Sequence, residues 1–359
     1  MSKVYFIRVG DSEGLEKRKA KLSELLDRSG ALDSTGPRDE IAVKMHFGED
    51  GNTRFVSPHL AKIVVDKIVK KGARALVTDT NVLYKGRRTY TKDHLALAAE
   101  HGFTEKVLGV PVVIAEGDEG KEITEIDVNL KYIKTAKIAS LFCRVDAIFS
   151  VAHFKGHLLT GFGGSLKNVG MGCACREGKL AQHSNITPLI NIEACVGCGT
   201  CESACPVSAI SIVDKKASID PKKCVGCAEC IAVCPSKAIG VDWAAGAKDV
   251  QEKMVEYAKA ALKNKEAKSL YINLALGISQ ECDCWTRDYP IISPDVGIFV
   301  SHDPVSVDKA TMDAVVDVCG RDVFKEAHPG IDGYKQLNHA RDIGLGSLDY
   351  ELIELSCGG

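Results

Sequence analysis

The sequence predicts an α/β fold: a mostly parallel sheet with helices on both faces, interrupted by a small segment of different character. Short apolar runs alternate with helical patterns up to about residue 152. The alternation stops near Pro188, where a turn-rich stretch dense in cysteine begins, and it returns after residue 242. Strands that alternate with helices are typical of parallel sheets whose two faces are both buried.

The first stretch of alternation predicts both the strands and the helices of half a sheet. Apolar runs indicate the strands Val4–Val9, Glu40–Phe47, Ala73–Asp79, Pro111–Ala115 and Val145–Ala152. Helical periodicity indicates the helices Glu13–Arg28, Pro58–Lys71 and Thr91–His101. Ser57 suits the N-cap of the second helix and Pro58 its first position, and Gly72 ends it.

The alternation after the interruption predicts that the same sheet continues there. The expected elements are the helix Ala247–Lys263, the strands Ser269–Ala275 and Val296–Ser301, and a helix that Asp303 caps and that runs to about Val318. We therefore predict one α/β domain made of residues 1–187 and 243–359, with residues 188–242 as an inserted domain. Insertion at a surface loop is tolerated when the ends of the inserted domain lie close together.

Composition restricts the classes of partner and compartment. The chain has 359 residues, 45% of them hydrophobic, and a formal net charge of −2, so nothing in its charge favours nucleic acid or an anionic membrane surface. No apolar run is long enough to span a membrane, and the N-terminus does not have the pattern of a signal peptide. We expect a cytoplasmic protein. Its 15 cysteines then indicate metal binding rather than disulfides, and they suit a reducing or anaerobic cell.

The interrupting segment contains an internal repeat of the pattern C-x2-C-x2-C-x3-C-P. The first copy consists of Cys195, Cys198, Cys201 and Cys205, and the second of Cys224, Cys227, Cys230 and Cys234. This spacing is typical of bacterial ferredoxins with two 4Fe–4S clusters, in which the fourth cysteine of each run ligates the other cluster. Gly197 and Gly226 let the backbone approach the cluster sulfur. The alternative, a pair of zinc knuckles, seldom has four cysteines in such a run followed by proline.

The repeat therefore predicts an α+β ferredoxin-like domain and the ligands of each cluster. We assign Cys195, Cys198, Cys201 and Cys234 to one cluster, and Cys224, Cys227, Cys230 and Cys205 to the second. Two clusters side by side usually relay electrons, so we expect an electron-transfer protein with a redox partner protein. No flavin or nicotinamide motif is present, which makes an external electron donor the simplest expectation.

A candidate active site comes from polar residues at the ends of predicted strands. In parallel α/β sheets, ligands bind at the carboxyl ends of the strands. His46, His153, Lys155 and His157 follow two such strands closely, and we expect His46, Lys155 and His157 to be catalytic. The strand that ends before His302 is expected to contribute to the same cleft. The alternative for each single residue is a helix cap or a solvated loop, and we favour caps for Ser57 and Asp303.

A glycine-rich segment, residues 160–168, is a second candidate for ligand binding. It leads into a predicted helix, whose first backbone N–H groups, together with Lys167, would hold a phosphate or carboxylate of a small anionic substrate. Lys167 and Asn168 are the predicted anion-binding side chains. The alternative is that the glycines serve tight packing, since the segment matches neither a Walker motif nor a dinucleotide fingerprint.

A third metal ion or cluster is a further possibility outside the repeat. The predicted ligands are two C-x-C pairs and a nearby histidine: Cys173, Cys175, Cys282, Cys284 and His183. Two alternatives stay open, namely buried thiols that pack as small hydrophobic groups and a redox-active cysteine pair. Cys143, Cys319 and Cys357 are expected to be packing thiols.

Several segments resemble a large prokaryotic family, domain of unknown function 362, in its members with an inserted dicluster ferredoxin. The resembling segments are VKMHFGEDGNT (43–53), HFKGH (153–157), TGFGGSLKNVGMGC (160–173), REGKLAQHS (176–184), CDCW (282–285) and SPDVGIFVSHDPVSVDKA (293–310). The resemblance implies a fold and iron–sulfur cofactors rather than a reaction. Cys175 stands where many relatives are expected to have serine.

Three functions fit these patterns. The first is an iron–sulfur oxidoreductase that passes electrons through two clusters to a substrate or third metal in the α/β cleft, with a histidine that titrates near neutral pH as the proton donor. The second is an electron carrier with the α/β domain as a docking scaffold. The third is a redox or metal sensor that uses the C-x-C pairs. A carrier needs only the ferredoxin-like domain, so the polar strand ends favour the oxidoreductase.

Overall fold

An eight-stranded sheet forms the centre of the computed structural model, which describes residues 1–183, 187–241 and 249–356. From edge to edge its strands are Tyr350–Glu354, Ser2–Arg8, Gly297–Ser301, Leu270–Ala275, Ala147–His153, Glu40–Lys44, Arg74–Asp79 and Val112–Ile114. Five of the seven neighbouring pairs are parallel, and the two antiparallel pairs both involve Gly297–Ser301. The predicted α/β fold with a mostly parallel sheet is therefore confirmed.

The remaining elements are helices and short hairpin strands. The helices are Leu15–Arg28, Pro58–Lys70, Thr91–Glu100, Glu105–Leu108, Ser140–Arg144, Ser165–Gly170, Arg176–His183, Thr200–Ser203, Glu229–Val233, Val250–Leu262, Pro304–Cys319, Val323–Ala327 and Tyr334–Asp342. The other strands are Ile123–Asp127, Thr135–Ala139, Lys155–His157, Gly161–Gly163, Leu189–Ile190, Ile210–Val213, Lys216–Ile219 and Ile239–Gly240. None of the described helices is both long and apolar enough to cross a membrane.

Both faces of the sheet are covered by hydrophobic cores. Ile41 and Val43 pack into one core, with apolar residues of the helices Leu15–Arg28 and Pro58–Lys70. Ala42, which lies between them, packs into the other core, with residues of the helices Val250–Leu262 and Pro304–Cys319. Neighbouring residues of a strand point to opposite faces, so nearly continuous apolar strands are the pattern that two covered faces require.

The predicted elements are present, with ends that shift by up to three residues. The predicted start of one helix at Ala247 lies outside the described residues. Ser57 caps its helix by accepting a hydrogen bond from the backbone N–H of His59 at 3.3 Å. One expectation was wrong: because Gly297–Ser301 runs antiparallel to its neighbours, its carboxyl end lies at the opposite edge from the other strand ends. His302 accordingly binds the carbonyl oxygen of Ser269 and does not line the cleft described below.

The cysteine-dense segment contributes no strand to the large sheet in residues 188–241. Its first and last strands, Leu189–Ile190 and Ile239–Gly240, pair with each other, so the two ends of the segment lie side by side. This geometry suits an insertion. The predicted domain boundaries themselves stay a prediction, and the one between residues 242 and 243 lies outside the described residues.

Asp303 joins three distant parts of the chain. Its Oδ1 accepts hydrogen bonds from the backbone N–H groups of Val305 (2.8 Å) and Ser306 (2.9 Å) at the start of the helix Pro304–Cys319. Its Oδ2 accepts from the Ser2 hydroxyl and from the Ser347 backbone N–H, both at 2.8 Å. One carboxylate thus caps a helix and ties down both terminal regions of the chain.

We expect Asp303→Ala to lower the free energy of unfolding by about 2 kcal/mol, because it removes a cap and two further hydrogen bonds. Asp322→Ala is the matched control, since Asp322 also caps a helix, through Phe324 and Lys325, without reaching the terminal regions. That variant should lose about 1 kcal/mol. Urea unfolding measures both values. Equal losses would show that the bonds to Ser2 and Ser347 contribute nothing.

Candidate functional site

A cavity of about 600 Å³ lies at the edge of the sheet where the parallel strands end. Lys44, Asp79 and His153 are the last residues of three of these strands, and all three line it. The cavity also brings together eight residues that the sequence singled out, namely His46, Lys155, His157, Lys167, Asn168, His183, Cys282 and Cys284. The expectation of a shared cleft at the strand ends therefore agrees with the geometry, although the roles of these residues stay predictions.

Lys44 is held in place by the groups around it. Its ammonium lies 3.0 Å from a carboxylate oxygen of Asp79 and donates to the amide oxygen of Asn168 at 3.1 Å. The Asn168 amide nitrogen donates to the Lys44 carbonyl (2.9 Å) and to the Ser150 hydroxyl (2.8 Å). Asn168 was predicted to bind an anion, but its side chain is occupied with positioning Lys44.

Asp283 organises a second group of charged residues in the cavity. It is buried, and its carboxylate lies 2.8 Å from Nδ1 of His153 and 2.9 Å from the ammonium of Lys155. Burial alone would raise the pKa of Asp283, but His153 and Lys155 outweigh burial and hold this pKa below its ordinary value. Sequence reasoning did not select Asp283 as a site residue, although an acidic residue between two cysteines was a visible signal.

The two predicted catalytic histidines are neutral in this surrounding. Burial, reinforced by nearby basic groups such as Arg88 and Lys167, holds the pKa of both His46 and His157 well below the ordinary value. Nδ1 of His157 accepts hydrogen bonds from the backbone N–H groups of Leu159 (3.1 Å) and Thr160 (3.2 Å), which leaves the ring proton on Nε2. Neither histidine therefore fits the expected role of a group that titrates near neutral pH.

Lys167 is the basic group that fits that role. Burial, together with the positive charges of Lys155 and Lys44, lowers the pKa of Lys167 to about 7. Across residues 1–183, 187–241 and 249–356, no carboxylate lies within ion-pairing distance of its ammonium, although the side chain lines the cavity. An unpaired ammonium at a cavity wall is suited to bind a negatively charged group.

The glycine-rich segment binds a carboxylate of the chain itself. It leads into the helix Ser165–Gly170, as expected, and the first N–H groups of that helix, from Ser165 and Leu166, donate to Asp308 at 2.7 and 2.9 Å. These backbone groups are therefore occupied. Of the predicted anion site, only the Lys167 side chain offers an unoccupied donor to the cavity among the residues that the structure describes.

The eight repeat cysteines line two small pockets, four in each. Cys195, Cys198, Cys201 and Cys234 line the first pocket. Cys205, Cys224, Cys227 and Cys230 line the second. These groups are the two ligand sets that the motif predicts, with the fourth cysteine of each run in the other run's pocket.

The surroundings of these pockets suit thiolate-bound clusters. Backbone N–H groups donate hydrogen bonds to sulfur atoms. The backbone nitrogen of Ala217 lies 3.4 Å from Cys195 Sγ, and that of Ala238 lies 3.2 Å from Cys234 Sγ. Gly197 has a φ of +66°, and a Cβ there would lie 2.2 Å from the Lys215 carbonyl oxygen. Four sulfur donors together with N–H donors to sulfur match the chemistry that a 4Fe–4S cluster requires.

The predicted third metal site is only partly assembled. Cys282 and Cys284 line the cavity and are joined by a disulfide, while Cys173 and Cys175 are buried free thiols outside it. Burial raises the pKa of both of these thiols to about 12. In the described part of the chain, no three His, Cys, Asp or Glu side chains are arranged to hold a metal ion, so the third site stays a prediction.

The three remaining cysteines were expected to be packing thiols. Cys143 and Cys319 are partly buried free thiols, which suits that expectation. Cys357 lies outside the described residues.

Two elements connect the cysteine-dense segment to the cavity. Leu83 packs against the buried residues of that segment and also lines the cavity, and Lys85, two positions later, donates to the Cys234 carbonyl oxygen at 3.0 Å. Leu180, on the helix Arg176–His183, packs in the same way, and Lys179 and His183 of that helix line the cavity. The cysteine pockets and the cavity thus share supporting residues.

Solved structures with a similar chain course differ widely in sequence. The lactate racemase apoprotein from Thermoanaerobacterium thermosaccharolyticum is 13% identical, with a TM-score of 0.39 over 76% of this chain and 50% of that one. A Thermotoga maritima protein from a structural genomics programme is 15% identical, with a TM-score of 0.41 over 87% of this chain and 59% of that one. The chain thus spans only about half to three fifths of their lengths. No curated protein matches the sequence significantly.

A family model provides the broader relationship. The model described as domain of unknown function DUF362 matches residues 41–313, which is most of the chain. The matched range includes the strand ends, the glycine-rich segment, the cysteine repeat and Asp283, so it covers the candidate site. The protein belongs to the DUF362 family.

Proposed function

We propose that this protein is an iron–sulfur oxidoreductase that passes electrons through two 4Fe–4S clusters to a small anionic substrate in the cavity. The observation that carries the proposal is the sorting of eight cysteines into two pockets. The sorting agrees with the interleaved ligand pattern of dicluster ferredoxins, in which each run lends its fourth cysteine to the other cluster. A redox partner protein is the expected external electron donor.

The proposed roles of the cysteine pockets follow from their donor atoms. Four thiolates would hold each cluster, and the N–H groups of Ala209, Ala217 and Ala238 would donate to three of them. When bound, such clusters supply electrons one at a time. Leu83 and Leu180 pack in one hydrophobic cluster with cysteines of both pockets, and Leu83 also lines the cavity in which an electron acceptor would bind.

The cavity supports an anionic substrate by its charge. Among the described residues, five basic side chains and two acidic ones line it; these are Lys44, Arg88, Lys155, Lys167 and Lys179, with Asp79 and Asp283. The ion pairs Lys44–Asp79, Lys155–Asp283 and Arg88–Glu49 each neutralise one positive charge, which leaves Lys167 and Lys179 as the excess basic groups. An anion in the cavity would be attracted by this excess and would bind most directly to Lys167.

Two side chains are suited to donate to such a substrate. The pKa of His157 is well below the ordinary value, so the ring is neutral and carries its proton on Nε2. A neutral imidazole would donate a hydrogen bond from Nε2 but would not act as an acid. Lys167, with a pKa of about 7, would both bind the anion and supply a proton near neutral pH. A pure electron carrier would need neither group, which favours the oxidoreductase over a carrier.

We expect anaerobically purified protein to contain about eight iron atoms and to give the paramagnetic signals of reduced 4Fe–4S clusters after dithionite treatment. Cys227→Ala should remove about four of the irons, because Cys227 lines only one of the two pockets. Iron analysis and electron paramagnetic resonance measure both outcomes.

Cys143→Ala is the matched control for this experiment, because Cys143 is a partly buried free thiol outside both pockets. This variant should keep all of its iron. A colourless, iron-free protein, or an iron content that Cys227→Ala leaves unchanged, would refute the proposal.

We expect malonate, as a probe of the cavity, to bind more weakly as the pH rises through about 7. The reason is that Lys167 is charged below its lowered pKa and neutral above it, so the favourable charge is present at low pH and lost at high pH. Anaerobic calorimetry at pH 6 and pH 8 should give a dissociation constant about tenfold larger at pH 8.

Variants at Lys167 separate this effect from other titrating groups. Lys167→Met should bind malonate weakly at both pH values, and Lys167→Arg should bind well at both, because arginine stays protonated. Lys134→Met, at an exposed lysine outside the cavity, should behave like the unaltered protein. A pH dependence that survives in Lys167→Met would assign it to another group.

A further inference from the structure

The pair Cys282 and Cys284 differs from every other cysteine of the described chain in being joined by a disulfide, and it lies in the wall of the cavity. Neither the proposed electron transfer nor anion binding uses it. We propose that this pair is a thiol–disulfide exchange site whose partner is a small, negatively charged thiol. The exchange goes beyond the proposed function, because it needs the cavity but not the clusters.

Access distinguishes the two sulfur atoms. Cys282 is buried and Cys284 is partly exposed, and the next residue, Trp285, is 39% exposed. An incoming thiol would therefore reach Cys284 first. Cavities of about 600 Å³ accommodate small organic molecules, so a thiol carrying a carboxylate would fit.

The exchange balances as two successive displacements. The thiolate of the first thiol attacks Sγ of Cys284, a new S–S bond forms, and the bond to Cys282 breaks as its sulfur leaves with the electron pair. A second thiol then attacks the mixed disulfide and releases Cys284. Two thiols are oxidised to one disulfide, the cysteine pair is reduced to two thiols, and the two protons of the incoming thiols end on the cysteines.

The charge of the cavity favours an anionic partner and a thiolate leaving group. Basic side chains outnumber acidic ones there, and Lys167 has no carboxylate partner among the described residues. A negatively charged thiol is concentrated in such a cavity, and a departing Cys282 thiolate is stabilised by the same positive charges.

The surroundings allow the disulfide to open without loss of the local fold. Asp283, between the two cysteines, is held by His153 and Lys155, and the carbonyl oxygen of Cys284 accepts a hydrogen bond from Tyr84 at 3.2 Å. These contacts do not involve sulfur. They keep the three-residue segment in place in both the disulfide and the dithiol form, as reversible exchange requires.

The second C-x-C pair provides an internal comparison. Cys173 and Cys175 have the same spacing, but they are buried outside the cavity as free thiols. Burial raises the pKa of both of these thiols, so neither forms a reactive thiolate readily. The position in the cavity, rather than the spacing, is what makes Cys282 and Cys284 an exchange site.

The test exposes the anaerobically purified full-length protein to three thiols: 3-mercaptopropionate, which is anionic, 2-mercaptoethanol, which is neutral, and cysteamine, which is cationic. Acid quenching, alkylation and peptide mass analysis then count the disulfide, mixed-disulfide and dithiol forms of Cys282 and Cys284. Per thiolate, mercaptopropionate should react about tenfold faster than cysteamine, with mercaptoethanol between them. Lys167→Met should reduce this preference, and the alkylation of Cys173 and Cys175 should not change.

Two variants trap the intermediate. With 3,3′-dithiodipropionate, the disulfide of mercaptopropionate, as the reagent, Cys282→Ser should accumulate the mixed disulfide on Cys284 and release one mercaptopropionate. Cys284→Ser should not form a mixed disulfide on buried Cys282, and circular dichroism checks that both variants fold. The proposal is overturned if the pair is never found oxidised, if it reacts only after denaturation, or if the three thiols react equally per thiolate.

Iron content, measured on the same samples, separates this proposal from the proposed function. If the protein contains iron but Cys282 and Cys284 do not react with thiols, only the exchange proposal is overturned. If Cys282 and Cys284 react with thiols in protein that contains no iron, the exchange proposal is supported and only the electron-transfer proposal is overturned.

Discussion

The parallel course of neighbouring strands is the constraint on which the site depends. Because the strands that end at Lys44, Asp79 and His153 run in the same direction, their last residues meet at one edge of the sheet. Buried charges must be paired, and Lys44 with Asp79 and Lys155 with Asp283 satisfy that requirement. The pairing uses up the carboxylates of the cavity wall and leaves Lys167 as a charge that a ligand can neutralise.

Patterns within short segments were enough to predict seven of the eight strands of the large sheet and the caps at Ser57 and Asp303, but not the edge strand Tyr350–Glu354 or the helix Tyr334–Asp342. The repeat cysteines line two pockets in the groups that the motif predicts. What could not be predicted depends on contacts between distant residues. Asp283 meets Lys155 across 128 positions, and Asp308 meets Ser165 across 143 positions, so no local pattern shows either pair. The antiparallel direction of Gly297–Ser301 has the same origin, because an apolar run indicates a strand but not its direction.

The expected proton donor changed for a related reason. A histidine has the ordinary pKa nearest to neutrality, so sequence reasoning selects histidine for proton transfer. In the cavity, burial and nearby positive charges act in the same direction on His46, His157 and Lys167. They move His46 and His157 out of the neutral range and bring Lys167 into it, with a pKa of about 7. These pKa shifts cannot be predicted from composition alone, because they depend on the burial of each group and on the charges around it.

The position of the cysteine-dense segment beside the cavity depends on side-chain contacts rather than on the chain alone. Among the described residues, the segment adds no strand to the large sheet, and its first and last strands pair with each other. Arg176 and Tyr90 both contact Glu229, and Lys85 contacts the Cys234 carbonyl oxygen. Tyr84, next to Lys85, contacts the carbonyl oxygen of Cys284. Two consecutive residues therefore contact a cysteine of one pocket and a cysteine of the cavity disulfide.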